Sequence, residues 1–143
     1  VLSRRFLPAF LLLTTFAFAS ETVAETNVDA QRLLSARAEV WQKRLHLEAW
    51  KITVEVCPRS VLRGGTVGNV RWEPDAKTAR IRVMQASDYD LPLEEALADM
   101  EFTIIHELVH VQKDGGGEDE VDAVVYSLLL AQDNRHLSHQ EGQ

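Results

Sequence analysis

The chain has 143 residues, of which 45% are apolar and 26% charged, a balance that suits one globular domain around a single core. A net charge of −7 argues against a nucleic-acid partner. The one cysteine, Cys57, excludes an internal disulfide and a thiolate metal site; it reads as a small buried hydrophobe at a strand end.

Residues 1–19 read as a secretory signal. Arg4 and Arg5 form a basic start, Phe6 to Phe18 is apolar, and Ala17-Phe18-Ala19 is a small-residue cleavage motif before Ser20. The apolar run is too short for a comfortable membrane span, so membrane contact is expected only transiently, during export to the periplasm or the medium. Residues 20–27 are polar and expected to be a disordered linker, with a folded domain over 28–134 and a polar tail over 135–143.

The first helix is expected from about Asp29 to Leu47, capped by Asn27 or Asp29. Leu34, Ala38, Trp41 and Leu45 make its apolar stripe. His46 near its end reads as a surface residue. Three strands follow. Trp50 to Val56 alternates apolar and polar and is stopped by Pro58. Val67 to Trp72 and Ala79 to Met84 read as a hairpin around Glu73-Pro74-Asp75-Ala76-Lys77. In the third strand Ala79, Ile81 and Val83 face inward, and the outward Arg80 and Arg82 suit an exposed or edge strand.

After a connection over Ser87 to Leu91, Pro92 opens a helix running from Leu93 to about Lys113. Leu97, Ile104, Leu108 and Val111 fall at helical spacing, as do Phe102, Ile105 and Val109, so this helix crosses a core. Within it lies His106-Glu107-Leu108-Val109-His110, an H-E-x-x-H pattern. Residues four apart share a helix face, so His106 and His110 can aim both imidazoles at one Zn²⁺. Glu107, about 100° round the helix, suits proton transfer rather than ligation.

Two histidines do not complete a zinc site, and a third protein ligand is expected. Asp114-Gly115-Gly116-Gly117 breaks the helix and sends a last helix, about Glu118 to Asp133, back along it. Glu118, Asp119, Glu120 and Asp122 cluster at its start. Glu118 and Asp122 share a face, so one can bind metal while the other accepts a hydrogen bond from a ligand imidazole. His136 and His139 belong to the polar tail.

H-E-x-x-H followed by Glu118-Asp119-Glu120-Val121-Asp122 on the next helix resembles the gluzincin pattern of zinc peptidases. The closer likeness is to minimal zincins of the ImmA/IrrE type, over about Glu101 to Leu130. The resemblance implies an α+β zincin-like fold: an N-terminal helix, a small three-stranded sheet, the H-E-x-x-H helix and an antiparallel C-terminal helix. It implies one Zn²⁺ per chain held by His106, His110 and Glu118, with Asp122 behind a ligand imidazole and Glu107 as general base. The short gap from His110 to Glu118 leaves Glu120 as the alternative ligand.

The expected function is that of a secreted or periplasmic zinc metallopeptidase acting on a peptide or protein; the resemblance to zincins implies a substrate laid along an edge strand, here Ala79 to Met84. Tyr126 and Tyr89 are the candidate oxyanion helpers, each weighed against a packing role. The rival expectation is a non-catalytic zinc-binding module that works through protein–protein contact; the retained Glu107, which a structural zinc site does not need, favours the enzyme.

Overall fold

A computed structural model describes the backbone of residues 15–140 and the side chains of residues 26–132. The basic start of the expected signal and the side chains of His136 and His139 lie outside the described residues. The order of elements is α1 (Thr15–Arg44), β1 (Lys51–Cys57), β2 (Gly68–Glu73), β3 (Thr78–Met84), α2 (Leu93–Gln112) and α3 (Glu118–Gln140). This is an α+β fold: one helix, a three-stranded mixed sheet, then two helices.

Two helices are longer than the sequence reading expects. α1 begins at Thr15, so Asn27 and Asp29 lie inside it rather than capping it, and α3 continues past Asp133 to Gln140. Neither stretch contains the glycine or proline that would stop it. α1 ends earlier than Leu47 because His46 takes a left-handed conformation, with φ +57°. Gln42 then secures the turn, its amide donating to the carbonyls of Leu47 (2.9 Å) and Trp50 (2.8 Å).

The strand order is β1-β3-β2. β3 runs parallel to β1, with Val54 opposite Ile81, and antiparallel to β2, with Val70 opposite Ile81. The hairpin is as expected, but β3 is the central strand and not an edge. Its outward arginines are accommodated because β1 places Glu55 beside them: the Glu55 carboxylate accepts from Arg80 at 2.6 Å and from Arg82 at 3.2 Å. The edges are therefore β1 and β2. On β1 the side chain of Gln31, from α1, mimics a neighbouring strand. Its amide donates to the Val54 carbonyl (2.7 Å) and its oxygen accepts from the Val56 N–H (2.8 Å). Among the described residues no such cap is made on β2, which leaves it as the open edge.

The expected stripe of α1 is buried throughout: Leu34, Ala38, Trp41 and Leu45 belong to one core cluster with Ile81 and Val83 of β3 and the buried residues of α2. Truncating one such large side chain to alanine costs about 2–5 kcal/mol, so the stripe is a major part of what holds α1 down. α2 is the central element of the core. Met100, Ile104, Ile105, Leu108 and Val109 are fully buried and occupy more than one face, as a helix crossing a core requires. Trp41 ties α1 to α2 by donating its indole N–H to Glu101 (3.2 Å). α3 lies antiparallel on α2 and buries Val121 and Val125. His110 opposes Glu118, His106 opposes Asp122 and Phe102 opposes Tyr126, in one continuous register. Cys57 is buried at the end of β1, in a small cluster with Leu62 and Met84.

Candidate metal centre

α2 sets the spacing of the two histidines, and the reversal after it delivers a carboxylate to them. Asp114, Gly115 and Gly116 have φ of +51°, +119° and +98°, a run of left-handed backbone that glycine adopts without steric cost. The Gly115 N–H donates to the His110 carbonyl (2.9 Å) and closes the helix. α3 then starts directly at Glu118.

Three side chains converge. His110 Nε2 lies 3.1 Å from His106 Nε2, His106 Nε2 lies 2.9 Å from Glu118 Oε2, and His110 Nε2 lies 3.4 Å from Glu118 Oε1. These are the members of the one group of described residues able to hold a metal ion. Each imidazole is fixed by its other nitrogen: His106 Nδ1 donates to Asp122 Oδ1 (2.9 Å) and His110 Nδ1 to the Gly115 carbonyl (3.3 Å). In the neutral rings both Nε2 lone pairs therefore point at each other and at the carboxylate. Three acceptors so close together repel unless a cation lies among them. Taken one atom per residue, the three ligand atoms lie within 4.8 Å of one another, close enough to share one ion. The residues present fit Zn²⁺, and the acceptors behind the imidazoles are the kind that orient ligand histidines.

Glu107 stands beside this group. It is only 9% exposed, and what remains accessible lines the cleft. Burial pushes its carboxyl above the usual carboxylate range; the imidazoles of His106 and His110 pull the other way, and Glu118 adds to the rise. Glu120 sits elsewhere. It pairs with Lys113, whose ammonium holds its carboxyl below the usual range, and it is not part of the convergent group.

A cleft of about 790 Å³ contains the group. Its floor is α2, with Phe102, Thr103, His106, Glu107 and His110; Glu118 and Asp122 of α3 form one wall, and Gly68, Asn69, Val70 and Trp72 of β2 the other. Ala79 to Met84 does not line it, so the strand beside the site is β2 and not β3. Trp72 bridges one end, its indole N–H donating to Asp114 (2.9 Å).

Two features here escaped the sequence reading. Gly68 lets β2 lie close on α2: a Cβ there would collide with Thr103 Cγ2 and stand 2.9 Å from the Arg82 carbonyl oxygen and 3.7 Å from Glu107 Oε1. A glycine opening a strand pattern is a signal for such an approach. The Gly115 carbonyl behind His110 has no signature, because every residue offers one. Neither tyrosine lines the cleft. Tyr89 is partly buried in the core with its hydroxyl unpaired, and Tyr126 is exposed with its ring 5.5 Å from that of Phe102.

No family model, curated protein or solved structure matches this chain.

Proposed function

We propose that this chain is a zinc metallopeptidase that works outside the cytoplasm on peptide or protein substrates. The observation that carries the reading is the convergence of His106, His110 and Glu118 with a mostly buried carboxylate, Glu107, that lines the same open cleft. A structural zinc site is closed by its protein ligands and has no use for that fourth group, whereas a hydrolytic site keeps an open position and a base beside it. The resemblance of the H-E-x-x-H and E-x-x-x-D patterns to gluzincins supports the same assignment.

His106, His110 and Glu118 would hold the ion. Asp122 and the Gly115 carbonyl keep both Nδ1 atoms protonated, so that each Nε2 presents its lone pair inward. When bound, zinc supplies the Lewis acidity that makes water a nucleophile near neutral pH. Glu107 takes a proton from the attacking water onto its carboxylate and passes it to the departing amine. Its burial suits the first half of that task, because a carboxylate raised above its ordinary range is the stronger base. The uncapped edge of β2 along the cleft offers backbone groups to an extended peptide.

The decisive experiment is metal content and peptide cleavage on wild type and Glu107→Gln in parallel. Wild type should hold one zinc per chain and cleave. Glu107→Gln should keep the zinc and lose at least roughly 10²-fold in rate, the lower range for a positioned general base. Equal cleavage by both would remove Glu107 from the chemistry. Zinc without cleavage in wild type would leave a binding module in place of an enzyme. N-terminal sequencing of the native protein tests the export: a mature start near Ser20 is expected, and an intact Val1 in the cytoplasm refutes it.

A further inference from the structure

We infer that the substrate is an extended polypeptide that joins the open edge of β2 and carries a carboxylate, Asp or Glu, at the position facing Arg71. The inference rests on the peptidase reading and adds the chemistry of the substrate.

The hydrogen bonds of the hairpin decide which way β2 turns its backbone groups. The Met84 N–H donates to the Val67 carbonyl (2.8 Å), one step beyond the pair Gly68 and Val83. In an antiparallel ladder bonded and non-bonded pairs alternate. Asn69, Arg71 and Glu73 therefore direct their backbone groups to β3, and Val70 and Trp72 turn theirs to the open edge. Val70 and Trp72 also line the cleft. A peptide bonded to them lies along the site, its side chains alternating between the two faces of the sheet. The peptide residue opposite Val70 faces α2, as Val70 does. Its neighbour, opposite Arg71, faces the outer side.

On that outer side the charges are unbalanced. Arg71 lies directly across from Arg80, and like charges so placed repel. Arg80 is relieved by Glu55, to which its guanidinium donates at 3.0 and 2.6 Å, and the same carboxylate serves Arg82. Glu55 belongs to β1, on the far side of β3. Arg71 is exposed and makes no ion pair among the described residues; Glu73 shares its face but does not pair with it. From β1 to β2 the outer charges thus run Glu55, then Arg80 with Arg82, then Arg71. A carboxylate on a fourth strand would restore the alternation. A hollow of about 580 Å³ on this face is lined by Arg71, Arg80 and Trp72, and because Trp72 lines the cleft as well, hollow and cleft meet at β2.

The neighbours of Arg71 on the same face confine the preference to one position. Asn69 is neutral and Glu73 repels an acid, so only the peptide residue opposite Arg71 gains from a negative charge.

The test uses the zinc-loaded full chain. Cleavage sites in a reduced, alkylated, unfolded polypeptide are mapped by mass spectrometry for wild type, Arg71→Gln and Arg71→Glu, with zinc content as a control. Arg71 is exposed, and a glutamate in its place would face Arg80, so both variants should fold and keep zinc. Wild type should favour Asp or Glu at one fixed position from the cut bond. For a substrate with that position filled, kcat/KM should exceed that of its glutamine counterpart roughly 2- to 5-fold, mainly through KM, the range of an exposed cross-strand pair. Arg71→Gln should erase the preference, and Arg71→Glu should turn it toward Lys or Arg. Cleavage indifferent to charge, or an acidic preference that Arg71→Glu retains, overturns the inference.

A second arm needs no hydrolysis. A fluorescent threonine decapeptide with one central glutamate should bind Glu107→Gln roughly 2- to 5-fold more tightly than the same peptide with glutamine, and Arg71→Gln on that background should abolish the difference. Hydrogen exchange adds a readout that plain charge attraction would not move: the amides of Val70 and Trp72 should gain protection when the peptide binds. If wild type cleaves nothing, the peptidase reading fails by itself, and this arm still decides. Binding that depends on Arg71 and protects both amides upholds the inference; binding without that protection, or no binding, overturns it. Phosphatidylglycerol vesicles that bind wild type through Arg71 while the peptide does not also overturn it, since the outer face would then meet a bilayer.

Discussion

His106 and Asp122 meet Nδ1 to Oδ1 at 2.9 Å across the α2–α3 interface, and this one bond decides which nitrogen of His106 faces the cleft. Asp122 is 45% exposed at its side chain, so its value lies less in net stability than in fixing the ring. Asp122→Asn keeps the size but substitutes a neutral acceptor, and its amide can flip to present a donor. Zinc affinity should fall about 10- to 100-fold with the fold intact. Competition with a chelator of known affinity measures it; unchanged affinity would make Asp122 an ordinary helix-start carboxylate.

Glu118 and Glu120 lie two residues apart and should behave oppositely. Glu118 faces both Nε2 atoms, so Glu118→Gln removes an anionic ligand, and zinc should dissociate at concentrations that saturate wild type. Glu120 is engaged by Lys113 on the surface, and Glu120→Gln should keep full zinc occupancy. Metal analysis after gel filtration reads both. The reverse outcome would move the ligand two residues along.

Gly68 should tolerate no side chain. Its neighbours include a backbone carbonyl, which cannot swing aside, so Gly68→Ala must lift β2 from α2 or shift Thr103. Overpacking of this kind costs about 1–3 kcal/mol. Gly117→Ala meets nothing within 4 Å and should stay within about 0.5 kcal/mol of wild type. Urea denaturation of both variants checks the contrast; equal stabilities would mean that the strand sits farther from the helix than described.

The core was legible because its periodicity was strong. The four residues of the α1 stripe and the two apolar rows of α2 show their burial in their spacing, and the turn residues after Trp72 mark the hairpin. Strand order was not legible in the same way. Outward arginines look alike on an edge strand and on a central strand with an acidic neighbour, and only the pairing of Glu55 with Arg80 and Arg82 separates the two. Helix ends were blurred wherever no glycine or proline marked them. At the site, the spacing of His106 and His110 and the acidic cluster behind the glycines pointed to the group that converges. The choice between Glu118 and Glu120 needed the position of Lys113, seven residues before Glu120, and its consequence appears only in three dimensions.

The reversal at Asp114 to Gly117 also bears on the order in which the molecule assembles. It confines the metal-facing side chains and their orienting partners to one segment, with no contact longer than the 16 positions between His106 and Asp122. Joining β1 to the sheet depends on more distant partners, such as Glu55 and Arg82, 27 positions apart, and α1 meets α2 at 60 positions, through Trp41 and Glu101, whereas the β2–β3 hairpin is as local as the helical one. Closing a short loop costs less chain entropy and takes less time than closing a long one. The helical hairpin should therefore form ahead of the docking of β1 onto β3. Pulse-labelled hydrogen exchange during refolding with zinc reads that order directly: protection of α2 and α3 before β1 is expected, and simultaneous protection would mean that the sheet must shape the site first.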